Sequence, residues 1–170
     1  AQEALGTHSN QIGSTAKAVI KIAFITEGMG FLGLTLLLAP LKGLKDAMYE
    51  AFFLCISAFN NAGFALNGNN MTAYVHQPMI SFIISLLIIT GGIGFLVILD
   101  IIKHKRWQKF TLHTKVMVLG TLALNIIGCI LYWLLERHNA KTIGGLSEAG
   151  QWFASWFMAV TSRTAGFNNV

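Results

Sequence analysis

The chain has 170 residues, 54% of them hydrophobic and only 11% charged, with a mean hydropathy of +0.60. A soluble domain carries about 25% charged residues, so this composition excludes an ordinary soluble globule and points to a membrane protein. The net charge of +5 does not point to nucleic acid. The basic residues concentrate between Lys103 and Lys109, directly after an apolar run, where the positive-inside rule expects them.

In chain order, residues 1–16 are small and polar and read as a cytoplasmic linker or surface helix. Ala18 to Leu38 is apolar enough to span the hydrocarbon core, which needs about 20 helical residues, and Pro40 is expected to stop that helix. Asp46 suits an N-cap. The run Ala47 to Phe59 that follows is too short to cross, so re-entrant insertion is the expectation. A Gly- and Asn-rich loop leads to Pro78, placed where a helix can start. Met79 to Ile102 then reads as one long apolar helix closed by Lys103, His104, Lys105 and Arg106. Val116 to Leu135 is a further span. Ser147 and Glu148 open a second short aromatic helix, Ala149 to Val160. Cys55 and Cys129 lie inside apolar runs and read as buried thiols, not as a disulfide or metal site.

Each short helix ends in the same phrase. Asn60-Asn61-Ala62-Gly63-Phe64 returns as Arg163-Thr164-Ala165-Gly166-Phe167, with an offset of 103 residues between the two glycines. A duplicated long helix, short helix and Gly-centred loop suggests a pore or carrier built from repeats. Non-helical backbone at membrane depth is costly unless it lines water or protein, and its carbonyls can replace the water shell of a potassium ion. A short helix with its negative C-terminal end at the pore adds attraction for a cation. A short apolar helix followed by a Gly-centred loop is thus what a cation filter requires, and the chain has two of them. No covalent chemistry is implied, so no catalytic residue and no enzyme activity is predicted.

At these residues the chain resembles the membrane subunit of the Ktr/Trk/HKT potassium-transporter superfamily, closest to its bacterial Ktr type. The resemblance is carried by Ser57 to Phe64, by Gly91-Gly92-Ile93-Gly94-Phe95, by Leu112-His113-Thr114-Lys115 and by Thr161 to Asn168. It implies an all-α membrane protein made of helix–pore-loop–helix units with re-entrant pore helices, four around one pseudo-fourfold pore. Residues 17–103 would be the complete second unit, 104–115 a cytoplasmic basic loop, and 116–170 the first part of the third unit. Units one and four, and a last helix of unit three bearing a gating loop, would lie outside this chain, which reads as a fragment. By motif position it implies that Asn60, Asn61, Ala62 and Gly63 supply one wall of an ion-selecting filter and Thr164, Ala165 and Gly166 a second, through backbone carbonyls, with Phe64, Arg163 and Phe167 as support. The implied function is potassium uptake across the cell (inner) membrane. The implied substrate is potassium, with sodium as a coupling or activating ion and no bound cofactor. The implied partners are membrane lipid, a second copy in a homodimer, and a cytoplasmic nucleotide-binding regulatory subunit of the KtrA-like, RCK-domain kind.

Seven of the twelve Lys and Arg residues flank the linker and the central loop, which orients those two toward the cytoplasm and both motifs outward. Gly91, Gly92 and Gly94 lie in the long helix and are expected to allow close helix packing, with a hinge as the alternative. Glu27 is a carboxylate inside a span, either functional or satisfied by neighbouring helices. Arg163 is expected to face away from the ion and pair with a carboxylate or carbonyls, because a cation aimed at the pore would repel potassium. Trp152, Trp156 and Phe157 read as packing residues. Two rival readings stand beside the pore. A secondary transporter with discontinuous helices would carry more polar residues at mid-span, and a non-transporting scaffold subunit would tolerate side chains at the two motif glycines.

Overall fold

The computed structural model describes residues 2–170, with side chains from Gly13 onward, and these residues form helices joined by turns, with no strand among them. The elements are α1 (Gln2–Lys42), α2 (Leu44–Phe59), α3 (Pro78–Gly92), α4 (Phe95–His104), α5 (Leu112–Glu136) and α6 (Glu148–Thr164), with single 3-10 turns at Thr72–Tyr74 and Trp107–Lys109. Gly13–Lys42 of α1 and α5 are long and apolar enough to cross a membrane; α3 and α4 make a third span if their bent pair counts as one. Large apolar side chains such as Phe24, Leu36, Leu112 and Leu135 are more than two-thirds exposed. In a chain this apolar, that is the surface of a membrane protein, facing lipid or further protein.

Three boundaries differ from the sequence reading, each for a local reason. α1 runs without a break through residues 2–16 and on past Pro40. Proline removes a single donor in the last turn, and the helix closes instead at Gly43, whose N–H bonds the Ala39 carbonyl at 2.9 Å. Asp46 is not the N-cap of α2; it sits in the first turn, where its charge still suits the helix dipole, and Gly43 precedes Leu44 as the cap. The expected long helix from Met79 to Ile102 is broken: α3 and α4 meet at 95°. The chain leaves the helix at Ile93 and re-enters it after Gly94, whose φ is +97°. Both N-cap hydroxyls behave as sequence patterns require, Ser147 accepting from Gly150 N–H and Thr111 from Thr114 N–H.

The core gathers around α2. Leu34 and Leu38 of α1, Ala47, Ala51, Leu54 and Ala58 of α2, and Ile80, Ile84 and Ile88 of α3 are fully buried, and Phe157 and Val160 of α6 join them. α3 packs against α1, α2 and α6, so the two short helices share one wall. α5 packs along α6, with Trp133 and Trp152 stacked at 4.7 Å. Asp100 near the end of α4 accepts from Thr111 N–H at 2.9 Å and contacts His104 Nδ1 at 2.6 Å, which ties the basic loop to the start of α5.

The closest approach in this core is between α3 and the end of α2. A Cβ added at Gly91 would fall 1.8 Å from the Phe59 carbonyl oxygen, inside any allowed contact, whereas one added at Gly28 meets nothing within 4 Å. Gly91→Ala is therefore expected to destabilise the protein by about 1–3 kcal/mol through overpacking, while Gly28→Ala stays within about 0.5 kcal/mol. Thermal denaturation of the detergent-solubilised protein distinguishes the two, and equal melting for both variants would refute the close contact.

Candidate functional site

The two motif loops begin where α2 and α6 end, and a hydroxyl on the preceding helix holds each of them. Ser57 Oγ accepts from Phe64 N–H at 2.9 Å and donates to the Phe64 carbonyl at 2.7 Å. Thr161 Oγ1 accepts from Phe167 N–H at 2.7 Å and donates to the Phe167 carbonyl at 3.1 Å. The backbone carbonyl of the same residue turns back the loop, receiving Ala62 N–H at 2.8 Å in the first copy and Gly166 N–H at 3.1 Å in the second. One device thus appears twice: a side chain that closes both polar groups of the phenylalanine after the glycine.

The copies are not superimposable residue for residue. The hydroxyl lies seven residues before Phe64 but six before Phe167. α2 stops at Phe59, while α6 runs on through Arg163 and Thr164. Thr164, expected in the second loop, is thus in the last turn of its helix. Asn61 adopts a left-handed conformation at φ +54°, which Asn tolerates and which ends α2 early. Ser162, Arg163 and Thr164 have no such escape, and Arg is a good helix former.

The structure brings the predicted residues together across the repeat. Thr164 Oγ1 donates to Asn61 Oδ1 at 2.9 Å, across 103 residues of chain. Gly63 adopts φ +73°, and a Cβ added there would fall 2.0 Å from the Ala165 carbonyl oxygen. Gly63 is needed twice, for its backbone angle and for the neighbouring loop's approach. Gly166, at φ +77°, faces open space. Among the described residues no hydrogen-bond donor reaches the carbonyls of Asn60, Asn61, Ala62, Thr164, Ala165 or Gly166, while the Gly63 carbonyl accepts from Asn70 Nδ2 at 3.2 Å.

The supporting residues behave differently from one another. Phe167 is buried against Phe157, ring centroids 6.5 Å apart, whereas Phe64 is 69% exposed. Arg163 Nη1 donates to Thr121 Oγ1 of α5 at 2.9 Å. Its guanidinium lies over Gly92, where an added Cβ would be 3.4 Å from Nη2. The expected partner was a carboxylate or carbonyl; the observed one is a hydroxyl, and among the described residues no carboxylate lies in ion-pair range of Arg163. Glu27, on α1, is half-buried and engages the Asn60 side chain. It also lines a cavity of about 280 Å³ with Phe31, Phe52 and Cys55.

The C-terminal ends of the two short helices meet at the Thr164–Asn61 bond, and the carbonyls named above have no donor there among the described residues. Helix C-terminal ends and free carbonyls are groups that can attract a cation. Sequence reasoning found the two glycine loops but missed the roles of Ser57, Thr161 and Asn70. A signal for the first two was present, since each copy has a hydroxyl residue about two turns before its phenylalanine.

The chain matches the model of the TrkH family, described as cation transport protein, over residues 2–170. It is 42% identical over 175 residues to the Ktr system potassium uptake protein B of Vibrio alginolyticus, covering 100% of this chain and 38% of that protein. It is likewise 42% identical over 156 residues to the protein of the same name from Bacillus subtilis, covering 89% and 35%. Identity to the potassium/sodium uptake protein NtpJ of Enterococcus hirae is 34% over 152 residues, covering 89% and 34%. The chain therefore spans little more than a third of the length of these curated relatives. A family match from residue 2 to residue 170, together with repeated glycine loops in an all-helical membrane fold, places the chain in the TrkH family of cation transport proteins.

Proposed function

We propose that this chain forms part of the membrane subunit of a Ktr-type potassium uptake system and contributes two filter loops to its pore. The observation that carries the proposal is the meeting of the two loops. Gly63 lies so close to the Ala165 carbonyl that no side chain fits between them, and six carbonyls around this contact have no protein donor among the described residues. Unpaired carbonyls at membrane depth are expensive unless an ion or water replaces the missing donors. The relatives' names, potassium uptake protein B in two bacteria, support potassium as the ion.

In this reading residues 17–103 form one complete helix–pore-loop–helix unit and 116–170 the beginning of the next, joined by the basic loop at 104–115 on the cytoplasmic side, with both filter loops facing outside. Potassium is the substrate and binds through the backbone of Asn60, Asn61, Ala62, Thr164, Ala165 and Gly166, with Gly63 setting the turn. The complete protein works as a homodimer in the cell membrane with a cytoplasmic nucleotide-binding regulatory subunit, and sodium couples to or activates uptake. The name of one relative, a potassium/sodium uptake protein, supports the sodium part. In this reading Arg163, whose Nη1 donates to Thr121 Oγ1, faces away from the ion.

Two measurements test this in cells without uptake systems of their own, using the protein that carries this chain. Gly63→Ser drives a side chain into the Ala165 carbonyl, and Gly166→Ser enters open space at the cost of a left-handed angle worth about 1–2 kcal/mol. Both are expected to lower potassium affinity or potassium-over-sodium discrimination at equal membrane levels, with Gly63→Ser the more severe. Unchanged affinity and discrimination in both would favour a scaffold role.

The second measurement concerns the hydroxyls. Ser57→Ala and Thr161→Val each leave a backbone N–H without its partner, a loss of about 1–3 kcal/mol when the group is buried. Each is expected to weaken discrimination between potassium and sodium. Wild-type discrimination in both would mean that the hydroxyls serve only to close their helices.

A further inference from the structure

Outside the two glycine loops, Glu50 is a buried carboxylate with three hydrogen-bonding partners. It sits on α2, only 4% exposed in a largely apolar core. Its carboxylate accepts from Lys42 Nζ at the end of α1, from Asn67 Nδ2 at 2.9 Å and from Tyr74 Oη at 2.5 Å. Lys42 Nζ also donates to Tyr74 Oη at 2.7 Å. A buried carboxylate is tolerated when it is paired and its remaining lone pairs are filled, and here three donors, one from the end of α1 and two from the loop that follows α2, fill them. Burial, together with the adjacent Glu50, pushes the Tyr74 hydroxyl above its usual range, so it stays protonated and donating.

Asn67 and Tyr74 are the two ends of a short loop, and the middle of that loop touches both glycine motifs. Asn70 N–H bonds the Asn67 carbonyl at 2.9 Å and Tyr74 N–H bonds the Met71 carbonyl at 2.9 Å, so the loop is internally braced. Asn70 Nδ2 donates to the Gly63 carbonyl at 3.2 Å, and Asn70 Oδ1 accepts from Asn168 N–H at 3.2 Å. The fully buried Met71 adds Met71 N–H to the Asn168 carbonyl at 2.8 Å. One side chain thus holds the carbonyl of the first motif glycine and the backbone just beyond the second motif. Asn70 does so at φ +56°, a conformation uncommon for residues other than glycine and accessible to Asn. The second short helix has no counterpart of Glu50: the residue 103 positions further on is Phe153.

We propose that the segment 67–74 is a strap across the two filter loops, and that Asn70 is a positioning residue for ion selection, with Glu50 the anchor that sets the strap's position. Asn70 touches no ion in this arrangement. It turns the Gly63 carbonyl and fixes the distance from the first loop to the second, and so sets the spacing of the free carbonyls on either side. The inference rests on the filter reading above.

The test uses the protein that carries this chain, in cells without their own potassium uptake, with membrane-inserted protein quantified for every variant. Potassium uptake is measured against potassium concentration, with and without competing sodium. Asn70→Gly keeps the left-handed backbone and removes the amide, Asn70→Asp replaces the donor by an oxygen that repels the Gly63 carbonyl, and Glu50→Gln weakens the anchor. The expected result is a rise of about fivefold or more in KM for potassium, the scale of one lost hydrogen bond, with lower discrimination against sodium. Maximal uptake per inserted protein stays within about twofold, and Glu50→Asp recovers part of the loss. The double variant Asn70→Gly with Glu50→Gln is expected to add little to either alone, as residues acting through one network do.

If KM and discrimination stay at wild-type values in all three single variants, the strap is overturned. A uniform fall in maximal uptake with unchanged KM overturns it too, since that is the signature of a merely structural loop. Should Asn70→Gly fail to accumulate, Asn70→Ser and Glu50→Gln decide by the same readout. Gly63→Ser is run in parallel. If it leaves uptake and discrimination unchanged, the filter reading itself has failed; if it alone alters them, only the strap has.

Discussion

A peptide carbonyl in an apolar environment must find a partner, and the rest of this structure follows from how the two short helices deal with that requirement. Inside α2 and α6 the backbone satisfies itself. At their C-terminal ends it cannot, because the last carbonyls of a helix have no partner within it. The chain answers with a hydroxyl from the helix itself: Ser57 and Thr161 close the N–H and carbonyl groups of Phe64 and Phe167. What those hydroxyls leave open is a set of carbonyls between helix and phenylalanine, collected where two helix dipoles end.

Holding polar backbone at depth demands stiff walls. Gly91 lets α3 press against the last turn of α2, and Gly92 leaves room for the Arg163 guanidinium, so one helix surface contacts both motifs. The same approach explains the position of the break before α4. Directly after the glycines that serve packing, the chain turns through 95° at Ile93 and Gly94 and leaves that wall. Glycine-rich sequence therefore does two things within four residues, close packing and a change of direction, where the sequence pattern favoured the first over a hinge.

The repeat is one of motif and of hydroxyl support more than of exact geometry. Both copies carry Ala-Gly-Phe, a hydroxyl clamp and a short helix. The first copy ends its helix early through Asn60 and Asn61 and is braced from outside by Glu50 and the loop it holds. The second carries its helix to Thr164 and is braced from α5 through Arg163 and Thr121. Equivalent loops are thus supported by unequal scaffolds, so a change in one support acts on one loop first.

The membrane class, the helical fold, the two short helices and the pair of glycine loops are legible along the chain, because each depends on composition or on near neighbours: apolar run length, N-capping at Ser147, proline at the start of α3. How those pieces act on each other is set by folding. That Gly63 faces the Ala165 carbonyl, that Thr164 bonds Asn61, that Asn70 bridges both loops and that Arg163 rests on a threonine are contacts between segments 42 to 103 residues apart, and no local pattern carries them. The early end of α2 and the late end of α6 fall between these cases. Two asparagines announce the first, but the register of each loop was settled by which hydroxyl reached its phenylalanine, and side-chain reach is a property of the folded chain.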